Sequence, residues 1–268
     1  MSTVLRDVVF AERIGFRPLS LDLHLPEAAP APVVLFLHGG GWRLGSRRAF
    51  VPHRSADETL GRITAAGFAV ASADYRLSGE ARFPAQVDDV LAAIGWVREH
   101  GAEHGLDPAR IVLWGESAGA HLAALAALDP AAGVAGVVDW YGPADLTALG
   151  RDLRPDDPAA VDDDPASREA GLLGGPVSAL PDLARAASPA LQVHAGAPPF
   201  LLQHGEADVL VPFAQSRALA DALARVGADV ELVGVPGASH FWQGVDDLEP
   251  IVERALAFAR RVTAQPPR

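Results

Sequence analysis

The 268-residue sequence contains no cysteine. That excludes disulfides, thiolate nucleophiles and cysteine-based zinc sites, and it fits a reducing compartment. No apolar run is long enough to span a bilayer, and Met1–Asp7 carries no basic stretch followed by an apolar one. The sequence therefore predicts neither a membrane helix nor a secretory signal, and it points to the cytoplasm. Positive charge is also scarce: 22 Lys and Arg stand against 34 Asp and Glu, a formal net charge of −12. An acidic surface argues against nucleic acid and anionic membranes as partners, and its plain reading is solubility.

What is present is 49% hydrophobic residues, enough for one large domain with a sizeable core. Strand and helix signals alternate with no clear linker, so a single domain over 1–268 is expected. Val4–Phe10 and Leu19–Leu25 predict two antiparallel edge strands. In the second, Leu19, Leu21, Leu23 and Leu25 share one face and Ser20, Asp22 and His24 the other. Val33–Leu37 is a continuous apolar run, as in a strand buried on both faces. Further strands are predicted at Phe68–Ala73, Arg110–Trp114, Gly133–Trp140, Phe200–His204 and Val230–Val235. Helices are predicted at Ser55–Ala66, Pro84–Glu99, Ala120–Leu128, Pro212–Val226 and Glu249–Val262. This alternation implies an α/β fold, a mostly parallel central sheet flanked by helices. The stretch 145–198, after the sixth strand, breaks the rhythm. It is rich in Pro, Asp, Ala and Gly, and it predicts a lid-like insertion of short helices packed over the site.

The most informative residues are Gly115-Glu116-Ser117-Ala118-Gly119. They match Gly-x-Ser-x-Gly and fall between a predicted strand and a predicted helix, where a sharp turn holds the serine hydroxyl clear of the sheet. Side chains two positions either side of Ser117 would collide with neighbouring backbone. A serine hydroxyl needs a base within reach, and the base needs an orienting group. His240 follows the strand Val230–Val235, and Asp208 follows the strand Phe200–His204. Ser117, Asp208 and His240 thus lie on loops at the C-terminal edge of one sheet, where open α/β sheets place ligands. Glu206, Asp246 and Asp247 are the nearby alternatives to Asp208. Oxyanion donors are expected from the backbone N–H groups of Ala118, just after the serine, and of Gly40 and Gly41, after the strand ending at Leu37.

Together His38-Gly39-Gly40-Gly41-Trp42, Gly115–Gly119, Asp208 and His240 resemble an α/β-hydrolase-fold carboxylesterase. The likeness is to the hormone-sensitive-lipase-like branch and, closer, to its compact bacterial feruloyl-esterase-like and acetyl-esterase-like group. Asp74–Leu77, Phe83–Val90 and Trp140–Leu146 share it. The resemblance implies hydrolysis of small-molecule carboxylic esters through an acyl-enzyme, with no metal or organic cofactor. No stretch of this sequence matches the long N-terminal cap of many hormone-sensitive-lipase-like enzymes, so no such cap is expected within it. An arylformamidase acting on N-formylkynurenine also resembles this pattern, and non-catalytic ligand receptors share the fold but typically lose the histidine.

Other features have plainer readings. His38 is expected to hold the glycine loop by hydrogen bonds rather than act as a base. Glu116 is expected as a salt-bridged neighbour of the turn, with electrostatic tuning as the alternative. Trp42, Trp140, Tyr141 and Trp242, with Phe241, fall near the active edge. They suit an acyl or aryl pocket, or ordinary core packing. His100-Gly101-Ala102-Glu103-His104 matches a zinc-protease pattern, but its glycines and its place before the serine strand make it a solvated helix end. Asp162–Asp164 lacks the spacing of a calcium loop.

Overall fold

A computed structural model of the chain describes residues 3–48 and 56–264. Among these residues the strands are β1 (Thr3–Ala11), β2 (Leu19–Leu25), β3 (Ala31–Leu37), β4 (Ala69–Ala73), β5 (Leu106–Glu116), β6 (Gly136–Trp140), β7 (Phe200–Gly205) and β8 (Val230–Val235). They form one sheet in the order β1-β2-β4-β3-β5-β6-β7-β8. β2 is antiparallel to both β1 and β4, and every other neighbouring pair is parallel. This is the α/β-hydrolase architecture that the sequence predicts.

The longer helices are α1 (Ala56–Ala65), α2 (Ala85–His100), α3 (Ala118–Ala127), α8 (Ala214–Arg225) and α9 (Glu249–Thr263). Side chains alternate across a strand, so an apolar run feeds two cores at once. Val33, Leu35 and Leu37 of β3 join the core under α2, α3 and α8, while Val34 and Phe36 join the core under α1 and α9. β5 repeats this, with Ile111 and Leu113 on the first side and Val112 and Trp114 on the second. The central strands are thus clamped on both faces, and their C-terminal ends become a rigid rim.

The expected pair of edge strands is half right. β1 is an edge, but β2 lies between β1 and β4. The polar face of β2 is correspondingly covered: Asp22 and His24 are buried. The start of the helix expected from Ser55 lies outside the described residues. β6 begins at Gly136 rather than Gly133, because the chain is still turning through Asp129–Ala132, with Gly133 at φ +48°.

Between β6 and β7 the chain forms α4 (Leu149–Leu153), α5 (Ala159–Asp162), α6 (Arg168–Leu173) and α7 (Pro181–Ala186), with short 3₁₀ turns between. α6 begins at a serine cap: Ser167 Oγ accepts from the Ala170 N–H at 3.0 Å. α6 lies against the glycine loop after β3. A Cβ on Gly41 would stand 2.8 Å from Arg168 Cδ, and Arg168 Nη2 donates to the Leu210 carbonyl at 3.3 Å.

Candidate active site

β3 and β5 are neighbours, with Leu37 paired to Gly115, so the glycine loop and Ser117 emerge side by side. Ser117 takes φ +52° and ψ −118°, a conformation that side chains avoid. The turn is held because the Ser117 N–H donates to the Trp140 carbonyl at 2.8 Å and α3 starts at once. The flanking glycines are steric necessities. A Cβ on Gly115 would overlap backbone of Gly119 and Ala120, and one on Gly119 would overlap the carbonyls of Leu37 and His38. Strain gathers at this rim. Of the described non-glycine residues at positive φ, Trp42, Ser117, Tyr141, Phe241 and Trp242 are all here, and Asp7 alone is elsewhere.

The loops after β7 and β8 are stitched together. Glu206 N–H donates to the Val235 carbonyl and Ala207 N–H to the Ala238 carbonyl, at 3.0 and 2.9 Å. That brings Asp208 to His240, residues 32 positions apart. His240 Nδ1 lies 2.6 Å from Asp208 Oδ2, and His240 Nε2 lies 3.0 Å from Ser117 Oγ. All three side chains are buried, at 6% exposure or less for Ser117 and His240 and 7% for Asp208. Asp208 Oδ1 accepts from the N–H groups of Leu210 and Val211. Burial pushes the Asp208 carboxyl up. The hydrogen bonds from His204 and His240 outweigh it and hold the group well below the ordinary carboxylate range. Asp208 is therefore an acceptor for an Nδ1–H, and the line is arranged to move the serine proton to Nε2.

The glycine loop is braced from three sides. His38 Nδ1–H donates to the Gly39 carbonyl at 2.7 Å, and its ring stacks on Tyr75 at 4.3 Å. Burial pushes His38 down to about 4, so it stays neutral at pH 7. Tyr75 OH donates to the His38 carbonyl at 2.9 Å. Trp42 Nε1–H donates to His121 Nδ1 at 3.3 Å, and His121 Nε2–H donates to the Ala187 carbonyl at 2.7 Å. His121 thus ties the loop to the insertion. Gly39 N–H donates to Glu116 Oε1 at 3.2 Å. Among the described residues, the N–H groups of Gly40 and Gly41 donate to no protein acceptor. Ala118 N–H is among the free donors at the start of α3.

One expectation changes, and one left open between two readings is resolved. Glu116 is not ion-paired. It is buried between the Gly39 N–H and the Tyr141 OH, the latter 3.3 Å from Oε2, and burial pushes its carboxyl up to about 7. The aromatics expected near the active edge are packed inside: Trp42, Trp140, Tyr141 and Trp242 are each at most 3% exposed. Trp140 Nε1–H donates to Gln203 at 2.9 Å, and the Tyr141 ring lies 4.7 Å from that of His240. Trp140, Tyr141 and Trp242 pack together in one core beside His240, whereas Trp42 lies in the core on the other face of the sheet, against His121. At the far end of the sheet, before β5, His100 and His104 lie against Trp96. No group of three or more His, Cys, Asp or Glu among the described residues is arranged to hold a metal ion. None of the described helices is long and apolar enough to cross a membrane.

The sequence reading missed His204 and His121. His204 Nε2 lies 3.2 Å from Asp208 Oδ2. Each is a lone histidine in an apolar run, with no spacing pattern to mark it. The only signal for His204 was its place four residues before the acid.

The sheet order, the strained serine between β5 and α3, and the histidine and acid after β8 and β7 define a protein of the α/β-hydrolase fold. The BD-FAE family model matches residues 21–223. The chain belongs to the BD-FAE family. Esterase LipQ of Mycobacterium tuberculosis is 38% identical over 243 residues, which cover 84% of this chain and 55% of LipQ. The chain spans about half the length of curated relatives of this kind. A truncated form of a carbohydrate esterase from gut microbiota superposes with a TM-score of 0.85 at 28% identity, over 98% of this chain and 97% of that one. Thermogutta terrifontis esterase 2 phosphorylated by paraoxon does so with a TM-score of 0.75 at 27% identity, over 97% and 94%.

Proposed function

We propose that this protein is a serine hydrolase of small carboxylic esters with short acyl or aryl groups. The observation that carries the reading is the hydrogen-bonded line from Ser117 Oγ through His240 to Asp208, at 3.0 and 2.6 Å. Relatives named as esterases, and a similar esterase phosphorylated by paraoxon, support it.

In this reading His240 Nε2 takes the Ser117 proton as Oγ attacks the ester carbonyl. Asp208 holds Nδ1–H and offsets the charge of the imidazolium. The tetrahedral oxyanion meets the N–H groups of Gly40, Gly41 and Ala118, each worth about 3 to 4 kcal/mol in the transition state. His240 returns the proton to the leaving alcohol, and the acyl group stays on Oγ. A water repeats the attack with His240 as base, releasing the acid and restoring the serine. In this reading the 145–198 insertion acts as the lid of the site, a role supported by the Arg168 side chain lying against Gly41. In the same reading Trp140, Tyr141 and Trp242 support the site from the core beside His240, and Trp42 supports the glycine loop through His121.

A fluorophosphonate probe with peptide mapping tests the reading. The expected result is a single adduct on Ser117, alongside turnover of p-nitrophenyl acetate and butyrate. An unlabelled Ser117 with no turnover overturns it. Turnover of N-formylkynurenine far above that of the esters moves the reaction from ester to formamide.

A further inference from the structure

His204 is bound to the acid of this site, and none of the steps above uses it. It lies on β7, four residues before Asp208, and its side chain is fully buried. Nε2 stands 3.2 Å from Asp208 Oδ2 and 2.8 Å from the Val211 carbonyl oxygen. Both neighbours only accept hydrogen bonds, so Nε2 carries a proton and shares it between them. Across the ring, Nδ1 lies 2.7 Å from Ser216 Oγ on α8, a hydroxyl able to donate to a neutral nitrogen. The Tyr141 and Phe213 rings meet the imidazole edge-on, at 6.4 and 5.8 Å. Asp139 on β6 is the other acid facing it; burial pushes that carboxyl up to about 6.

Asp208 is consequently held at both oxygens. Oδ1 takes the N–H groups of Leu210 and Val211, at 2.8 and 2.9 Å, and Oδ2 takes one proton from each histidine. Val211 gives its N–H to Oδ1 and takes the His204 proton on its carbonyl, so His204 closes the 208–211 turn from the far side.

We propose that His204 is a positioning residue of the catalytic site: its Nε2–H holds Asp208 Oδ2 in line with His240 Nδ1 and limits how strongly that oxygen grips the charged form of His240. This rests on the serine-hydrolase reading. The second effect has a definite sign. An oxygen that already accepts one proton is a weaker acceptor for another. Without His204 the Asp208 oxygen binds imidazolium more tightly, the acid limb of the pH–rate profile moves to higher pH, and the proton returns to the alcohol less readily. The hydrogen bonds of His204 reach the reacting groups through Asp208, so the loss falls on kcat and not on KM.

The test compares His204→Phe, His204→Gln and Ser216→Ala in the full chain, on p-nitrophenyl acetate from pH 5 to 9. Phenylalanine fills the space without a donor, whereas the glutamine amide returns an N–H near the Nε2 position. The phenylalanine variant should lose roughly ten- to a hundredfold in kcat. Its KM should stay within about twofold, and its acid limb should rise by roughly half a pH unit. Glutamine should restore most of both. Ser216→Ala frees the ring but keeps Nε2, so it should lose less. Should the phenylalanine variant fail to fold by circular dichroism, a kcat loss in Ser216→Ala with near-normal His204→Gln supports the proposal. Wild-type kcat and acid limb in His204→Phe or Ser216→Ala overturn it, as does an equal loss in His204→Phe and His204→Gln with no pH shift. A wild type that takes no probe at Ser117 and hydrolyses no ester overturns the serine-hydrolase reading and this proposal with it.

Discussion

Asp22 and Asp208 sit near opposite flanks of the sheet, on β2 and just after β7, and both are buried. In both, burial pushes the carboxyl up, and hydrogen bonds reverse that and hold it well below the ordinary range. The donors differ. Asp22 is gripped by Arg47 Nε at 2.8 Å, by Arg48 Nε at 2.6 Å and by the Asp7 N–H at 2.9 Å. Guanidinium does not titrate in the working range, so this charge is permanently matched. Asp208 is gripped by two imidazoles and two backbone N–H groups, and one imidazole, that of His240, touches the strained Ser117. The first arrangement is an anchor. It fastens Arg47 and Arg48, a few residues past the glycine loop, to the sheet, with Asp74 Oδ1 accepting the Arg47 N–H at 2.8 Å. The second can pass charge through a partner whose protonation changes. A low carboxyl pKa marks neither role by itself; the chemistry of the donors does.

The hardest test of that contrast is at the serine. Ser117→Ala should lower kcat/KM about 10⁴- to 10⁶-fold and leave the melting transition in place; His240→Ala should do nearly the same, and the double variant should lose little more. Additive losses would break the picture of one unit. Next comes the matched pair. Asp208→Asn should lower kcat about 10³- to 10⁴-fold, because the amide favours the wrong histidine tautomer, with a modest stability change. Asp22→Asn should instead lower unfolding free energy by about 1 to 2 kcal/mol, by removing the buried charge that half-buried Arg47 and exposed Arg48 share, while the folded fraction keeps its turnover. Chemical denaturation beside steady-state kinetics would expose a reversal of these outcomes.

A pH series sharpens the contrast further. The lowered carboxyls of Asp22 and Asp208 stabilise the fold above their ordinary value of 3.8, and that contribution is lost as pH falls below it. Glu116 behaves oppositely. Its folded-state value of about 7 exceeds the ordinary 4.5, so the fold loses stability as pH rises between the two. Glu116→Gln should therefore stabilise the protein at pH 8, by about 1 to 3 kcal/mol, and change little at pH 4. The smallest effect is expected at Arg168. Arg168→Ala should shift KM roughly two- to fivefold and depend on acyl length, while leaving kcat on acetate nearly unchanged.

The parts of the site that stood out in the sequence are those where geometry allows few residues. A strained strand-to-helix turn needs glycine at 115 and 119, and a loop bearing free N–H groups needs the run 39–41. The strand pattern was readable because β3 and β5 must be apolar on both faces. The rest depended on what meets what in space. Glu116 was expected beside a cation, but its environment offers an N–H and a hydroxyl, so burial governs its charge. The aromatics near the rim were expected in an acyl or aryl pocket or in the core, and Trp42 and Trp140 went inside because each indole found a buried acceptor, in His121 and Gln203. The polar face of β2 reads as that of an edge strand, but the fold brings Arg47 and Arg48 over that face. The insertion reads as short helices from composition, but nothing local specifies that Arg168 ends up on Gly41.

That contact has a consequence for how new specificities can arise in this chain. Position 41 disfavours larger residues through its φ of +59° and through the crowding Arg168 side chain, which belongs to the most irregular part of the molecule. A change in the helix bearing Arg168 would be transmitted directly to the loop that, in the proposed reading, stabilises a fleeting negative oxygen. Remodelling this segment for a bulkier substrate is thus coupled to turnover from the first substitution. Laboratory selections here should yield paired changes, one in the covering helix and one in the glycine run, more often than either alone.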